Sequence, residues 1–358
     1  MKKNLLLAAM ACAMLVGTQW CQAQTIKSQI VENGGTGAYK AEVVADSACP
    51  RFTIYRPQNL KAAVQAEGKL PIILYANGGC ANNNVEIRYL LSEVASHGYV
   101  AIAIGPYDEE DFIAHWRRTM GFMQPKGKKV ILANGEEIKA PSPEEMQAQM
   151  EEMRKHMEAG KIKASQKKKD DKKDAPMPFP TASTYPRMLL EALDWLTDQN
   201  ANPASEYYHT LNLDEVAAMG QSCGGAQVLG VAHDPRITTC IILNSGIGDM
   251  TMQGATKEAL NSLHTPMLYL IGGPEDVAYP NAQKDFERIK DMPVVMINTL
   301  DGHSGTYYEK SGGSYAVAVR KWLDWQLKDN VGQSALFLDP EYSKTMFPDW
   351  TVVRKNFK

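Results

Sequence analysis

The chain has 358 residues, a formal net charge of −3 and 44% hydrophobic residues. That suffices to bury the core of one α/β domain with an insertion, or at most two domains. The near-neutral balance, with no aromatic-interleaved basic face, argues against a nucleic-acid partner.

In chain order, the first segment reads as an export signal. Lys2 and Lys3 supply charge, Leu5 to Val16 an apolar stretch, and Cys21-Gln22-Ala23 a small-residue cleavage site, so residues 1–23 are expected to be removed and the product to be periplasmic or secreted. The apolar stretch is short for a membrane span. A lipoprotein anchor is the competing reading, but Thr18-Gln19-Trp20 suits Cys21 poorly and Cys12 comes very early.

Residues 24–358 read as one α/β domain. Residues 26–48 give one or two edge strands around Tyr39–Val44. The glycines at 34, 35 and 37 lack the strand–helix setting of a dinucleotide loop. Arg51–Tyr55 alternates as a strand. Pro71–Ala76 and Tyr99–Ile104 read as buried parallel strands around a helix at Val85–Ser96. The pattern breaks at Pro106 and resumes near Thr184, leaving an insertion at 107–183. It holds a predicted hairpin (128–132 and 136–139, turned at Asn134-Gly135), a helix at 142–159 with methionines 146, 150, 153 and 157 on one face, and a Lys/Asp-rich tether at 161–173 predicted to be disordered. A helix through Leu189–Leu196 follows. Then come strands at Ile237–Leu243, Met267–Ile271 and Val294–Ile297, with helices at Ala282–Ile289 and Ala316–Leu327.

Gly220-Gln221-Ser222-Cys223-Gly224 lies between an apolar run (Val216–Met219) and a helical segment (Ala226–Ala232). A serine on a sharp strand-to-helix turn, with glycines two residues either side, is the arrangement of a nucleophile elbow. The hydroxyl needs a base. His303, in the loop Leu300-Asp301-Gly302-His303-Ser304-Gly305, is the best of seven histidines, with His97 and His233 rivals by residue type. Asp276, at the end of Ile271-Gly272-Gly273-Pro274-Glu275-Asp276, is the expected orienting acid, with Glu275 as alternative. Two oxyanion donors are expected: the Cys223 amide, and from the loop after Ala76 the Cys80 amide, with Gly79 as alternative. There is no CxxC and no His/Cys cluster at metal spacing, so no metal is expected. Of the four mature cysteines, Cys49, Cys80, Cys223 and Cys240, the last sits in an apolar run and reads as a buried thiol.

These motifs resemble the α/β-hydrolase superfamily, and within it secreted dienelactone-hydrolase-like and polyester-hydrolase or cutinase-like esterases. Ala95-Ser96-His97-Gly98-Tyr99-Val100, the loop Gly272–Asp276 followed by Val277-Ala278-Tyr279-Pro280, and Leu300-Asp301-Gly302 before His303 carry the likeness. It implies a doubly wound, mostly parallel sheet of about eight strands, no cofactor, and Cys80 at an oxyanion-donor position. In that fold the Arg51–Tyr55 strand runs antiparallel to its neighbours. Cys49 would then share an edge with Cys80, giving a candidate Cys49–Cys80 disulfide. Gln221 and Cys223 stand where polyester hydrolases usually carry His and Met, and the insertion has no counterpart in their open sites. The expected activity is therefore hydrolysis of small-molecule or glycan-linked carboxylic esters, with the insertion as a lid. Acyl transfer or amide cleavage by the same triad, and a non-catalytic surface or carbohydrate-binding role, are the alternatives.

Overall fold

The computed structural model describes residues 26–111, 130–131, 137–138 and 184–357. The predicted signal, the helix at 142–159 and the tether at 161–173 lie outside them. The strands are β1 (Ile26–Gln29), β2 (Ala41–Asp46), β3 (Phe52–Pro57), β4 (Leu70–Ala76), β5 (Val100–Ile104), β6 (Val130–Ile131), β7 (Glu137–Ile138), β8 (Leu211–Gln221), β9 (Thr239–Leu243), β10 (Met267–Ile271), β11 (Val294–Asn298) and β12 (Thr351–Lys355). The helices are α1 (Leu60–Glu67), α2 (Arg88–Ser96), α3 (Arg187–Ala201), α4 (Cys223–Val231), α5 (Tyr279–Arg288), α6 (Gly313–Leu327), α7 (Ala335–Leu338) and α8 (Pro340–Met346).

One ten-stranded sheet runs in the order β1-β2-β3-β5-β4-β8-β9-β10-β11-β12. The six strands from β5 to β11 in that order are mutually parallel, and antiparallel pairs extend the sheet at both edges. The count exceeds the expected eight partly because short β1 and β12 close the edges. Within the insertion, β6 and β7 pair antiparallel (Val130↔Ile138, Ile131↔Glu137), in line with the predicted hairpin, whose turn lies outside the described residues.

Burial explains the layers. Side chains of β4 alternate between faces: Ile72, Leu74 and Ala76 join one core with α3 and α4, while Ile73 and Tyr75 join another with α2 and α6. A strand wholly buried on both faces reads as a continuous apolar run, as β4 does. In α3, Met188, Leu189, Ala192, Leu193 and Leu196 are buried at helical spacing. Helix α1 starts where Asn59 Oδ1 accepts from Ala62 N (3.0 Å) and stops at Gly68 (φ 83°). Beyond α6, Trp325 stacks on Phe337 and Phe357, fastening the C-terminal segment to one face. Among the described residues, no helix is long and apolar enough to cross a membrane.

The chain passes from β4 to β5 by α2 on one face, then returns across β4 to β8 by α3 on the other. The strand order thus reverses between β4 and β8, and a crevice at the carboxyl ends of such a pair is where open α/β sheets bind ligands. The loops leaving those ends carry Gly78–Cys80 and Ser222.

Candidate active site

Ser222 has φ 51° and ψ −118°, a backbone state that costs a non-glycine residue about 1–3 kcal/mol. The surroundings enforce it. Ser222 N donates to Leu243 O (2.9 Å), and the Ser222 carbonyl accepts from Gly225 N (2.9 Å) and Ser245 Oγ (2.6 Å). Gly224 is required by close approach: a Cβ there would lie 2.1 Å from Ala76 O. A serine preceding a helix commonly caps it with its own hydroxyl. Ser222 makes no such bond, and its Oγ instead lies 3.0 Å from His303 Nε2.

His303 Nδ1 lies 2.6 Å from Asp276 Oδ1. The carboxylate is fully buried and the imidazole is 17% exposed, so the relay runs from interior to surface. Asp276 Oδ1 also accepts from Ala278 N (2.9 Å), and Oδ2 from Gly272 N (3.0 Å) and Asn244 Nδ2 (2.7 Å). Burial pushes this carboxyl up, but hydrogen bonds from His303, Ala278 and Asn244 and the imidazole's charge outweigh it and hold the group below the usual carboxylate range. The acid and histidine loops are pressed together: Gly302 N donates to Gly272 O (2.9 Å), and a Cβ on Gly272 would lie 1.8 Å from Gly302 O.

Ser222, His303 and Asp276 therefore meet through two hydrogen bonds. The rivals lie elsewhere. Glu275 is exposed, His97 pairs with Glu93 at the end of α2 (3.1 Å), and His233 is exposed beyond α4.

The cysteines differ from expectation. Cys80 is bonded to Cys223 with Cα atoms 5.2 Å apart, whereas Cys49 is a buried free thiol. The Cys49–Cys80 pairing is thus corrected. The antiparallel course of β3 holds (Phe52↔Ile104), but β5 stands between β3 and β4. Two strand spacings, roughly 10 Å, separate those edges, whereas β8 is the direct neighbour of β4. Cys240 is a buried free thiol, as expected. Cys223 is the first residue of α4, where N–H groups lack intrahelical acceptors. Cys80 (φ 49°) follows Gly79 (φ 60°) in a short turn. The two proposed oxyanion residues are thus covalently joined.

Two further residues complete the site. Asn244, immediately after β9, donates to Asp276 Oδ2, to Gly302 O (3.0 Å) and to Tyr315 OH (3.2 Å), and accepts from Tyr307 OH. Only its place, a polar residue ending a buried strand, hints at this in the sequence. Asn244→Ala is expected to cost about 1–3 kcal/mol of stability, because the buried Tyr307 hydroxyl loses its acceptor. Urea unfolding of the two proteins checks this. Gln221 is also buried, and its Nε2 donates to His303 O (3.4 Å). Its Oε1 lies where a Cβ on Gly78 would stand, 2.0 Å from that point, so its amide spans the loops carrying Gly78 and His303.

No protein-family model and no curated protein matches the chain.

Proposed function

We propose that this protein is an exported serine hydrolase of the α/β-hydrolase kind that cleaves carboxylic esters through an acyl-enzyme. The observation that carries the reading is the relay from Ser222 Oγ to His303 Nε2 (3.0 Å) and from His303 Nδ1 to Asp276 Oδ1 (2.6 Å), built around a serine at positive φ. In this reading His303 takes the Ser222 proton as Oγ attacks the acyl carbon. The C=O π electrons move onto oxygen, and amides of Cys80 and Cys223 stabilise that oxyanion. Collapse expels the alcohol, which receives the proton from His303. A water activated by the same imidazole then releases the acid. Asp276 keeps Nδ1 protonated and supports the imidazolium.

The ends of the insertion support a role for it as a wall or lid of the pocket. At its start, Asp108 O and Asp111 Oδ2 accept from Asn83 Nδ2 (2.7 and 3.0 Å). After it, Thr184 Oγ1 donates to Cys80 O (2.9 Å). Both roots thus sit on the loop that follows β4.

The test is a panel of p-nitrophenyl and alkyl esters of increasing acyl length, with sugar- and aryl-bearing members, read before the steady state. A burst of alcohol stoichiometric with enzyme, followed by slower acid release, is the expected result for at least one member with deacylation limiting. Absence of turnover across the panel would remove the esterase reading.

A further inference from the structure

The β4–β8 ladder ends at Ala76↔Gly220. Past that pair one strand leads into the Gly78–Cys80 turn and the other into Ser222 and α4. No ladder fixes how the Cys80 amide stands relative to the Cys223 amide. The turn is also an unfavourable one, because Gly79 and Cys80 both have positive φ and Cys80 has a side chain to accommodate there.

Two links cross from this turn to α4. The Cys80–Cys223 disulfide is covalent and joins residues 143 apart in sequence. Thr184 Oγ1 donates to the Cys80 carbonyl and itself accepts from Gln227 Nε2 (3.0 Å), one turn along α4 from Cys223. Asn77 Nδ2, by contrast, donates to Ile104 O (2.7 Å) and Ala81 O (2.9 Å), tying the base of the turn to the end of β5. Of these, the disulfide directly joins the two residues whose amides are assigned to the oxyanion.

We propose that Cys80 and Cys223 are positioning residues whose disulfide holds the two oxyanion amides at catalytic separation, so that full turnover requires the oxidised protein. This rests on the serine-hydrolase reading above. A bond that served only to hold the fold together could sit anywhere in the chain. This one spans the site at its reacting end, on the residue following the nucleophile. Cys49 and Cys240 offer no ready substitute partner: both are buried, and burial pushes each thiol up to about 12. A thiolate, not a thiol, attacks a disulfide.

The test uses the full protein, oxidised and then opened by a dithiol. The reductant gives two electrons and two protons to the S–S bond, leaving two protein thiols, and becomes a cyclic disulfide itself. Thiols are counted by mass after quenching, and active sites by fluorophosphonate titration. Three quantities are compared per active site: kcat, KM, and Ki for a trifluoromethyl ketone matching the acyl group, whose hemiketal oxyanion needs the same amides. Opening the bond is expected to lower kcat about 10- to 100-fold, less than losing a donor outright can cost. The ketone Ki should rise in parallel, KM should move less than about threefold, and reoxidation should restore all three. Cys80→Ser/Cys223→Ser should match the reduced protein; should it fail to fold, the reduced wild-type measurement stands alone.

Unchanged kcat and Ki per site in the reduced protein would overturn the positioning role while leaving the hydrolase reading intact. Loss of active sites with unchanged kcat per remaining site would show a merely structural bond and would overturn it equally. If the oxidised protein shows no Ser222-dependent turnover, the hydrolase reading fails and this inference falls with it.

Discussion

Replacing Ser222 with alanine is expected to reduce ester turnover about 10⁴-fold or more. The expectation follows from where the hydroxyl is held. Its Oγ stands 3.0 Å from His303 Nε2, and the turn that presents it is fixed through Leu243, Gly225 and Ser245. Alanine removes the proposed attacking atom without touching those backbone bonds, so the melting temperature should change little. His303→Ala removes the proposed proton acceptor and is expected to cost a comparable factor. The two side chains act as one unit, so the double variant should be no slower than the slower single variant. Steady-state kcat/KM for the four proteins, with thermal melts alongside, checks this. Multiplicative losses would mean that the two residues do not share a step.

Asp276→Asn is expected to lower kcat about 10³- to 10⁴-fold. An amide nitrogen facing His303 Nδ1 would favour the tautomer with its proton on Nε2, which cannot accept from Ser222. Turning the amide does not help. Oδ2 already accepts from both Gly272 N and Asn244 Nδ2, so an NH₂ group placed there meets two donors. The variant should therefore also lose about 1–3 kcal/mol of stability. Acid titration gives a second readout. The native carboxyl lies below the usual carboxylate range, so the unfolded chain binds its proton first as pH falls. The stabilisation from Asp276 is present above about pH 4 and is lost as pH drops through the lowered native value. Urea unfolding at pH 7 and at about pH 3 should show the gap between wild type and Asp276→Asn narrowing at the lower pH.

Much of this arrangement is legible in one dimension because it rests on local signals. The buried strands announce themselves as apolar runs, and β10 matches its predicted bounds, Met267–Ile271. Glycines at 220 and 224 mark the turn around Ser222 because backbone packs where their side chains would be. His303 and Asp276 each follow a buried strand closely, which is how side chains reach one edge of a parallel sheet. What stays hidden depends on strand order. The partner of Cys80 follows from β8 lying beside β4 with β3 one strand further off, and nothing in the local sequence states that order. Asn244 escapes notice for a similar reason, since its partners, Asp276, Gly302, Tyr307 and Tyr315, all come from later parts of the chain. Strand β12 carries Arg354 and Lys355 on a half-exposed edge and lacks the apolar run that marks interior strands.

Active-site labelling reports whether Ser222 is an activated nucleophile. The protein is incubated with a fluorophosphonate at neutral pH, digested, and mapped by mass spectrometry. One phosphonyl group per chain on the peptide containing Ser222, formed far more slowly in His303→Ala, is the predicted result. An unlabelled Ser222 peptide in folded protein, or labelling that does not depend on His303, would show that Ser222 is not a nucleophile activated by His303.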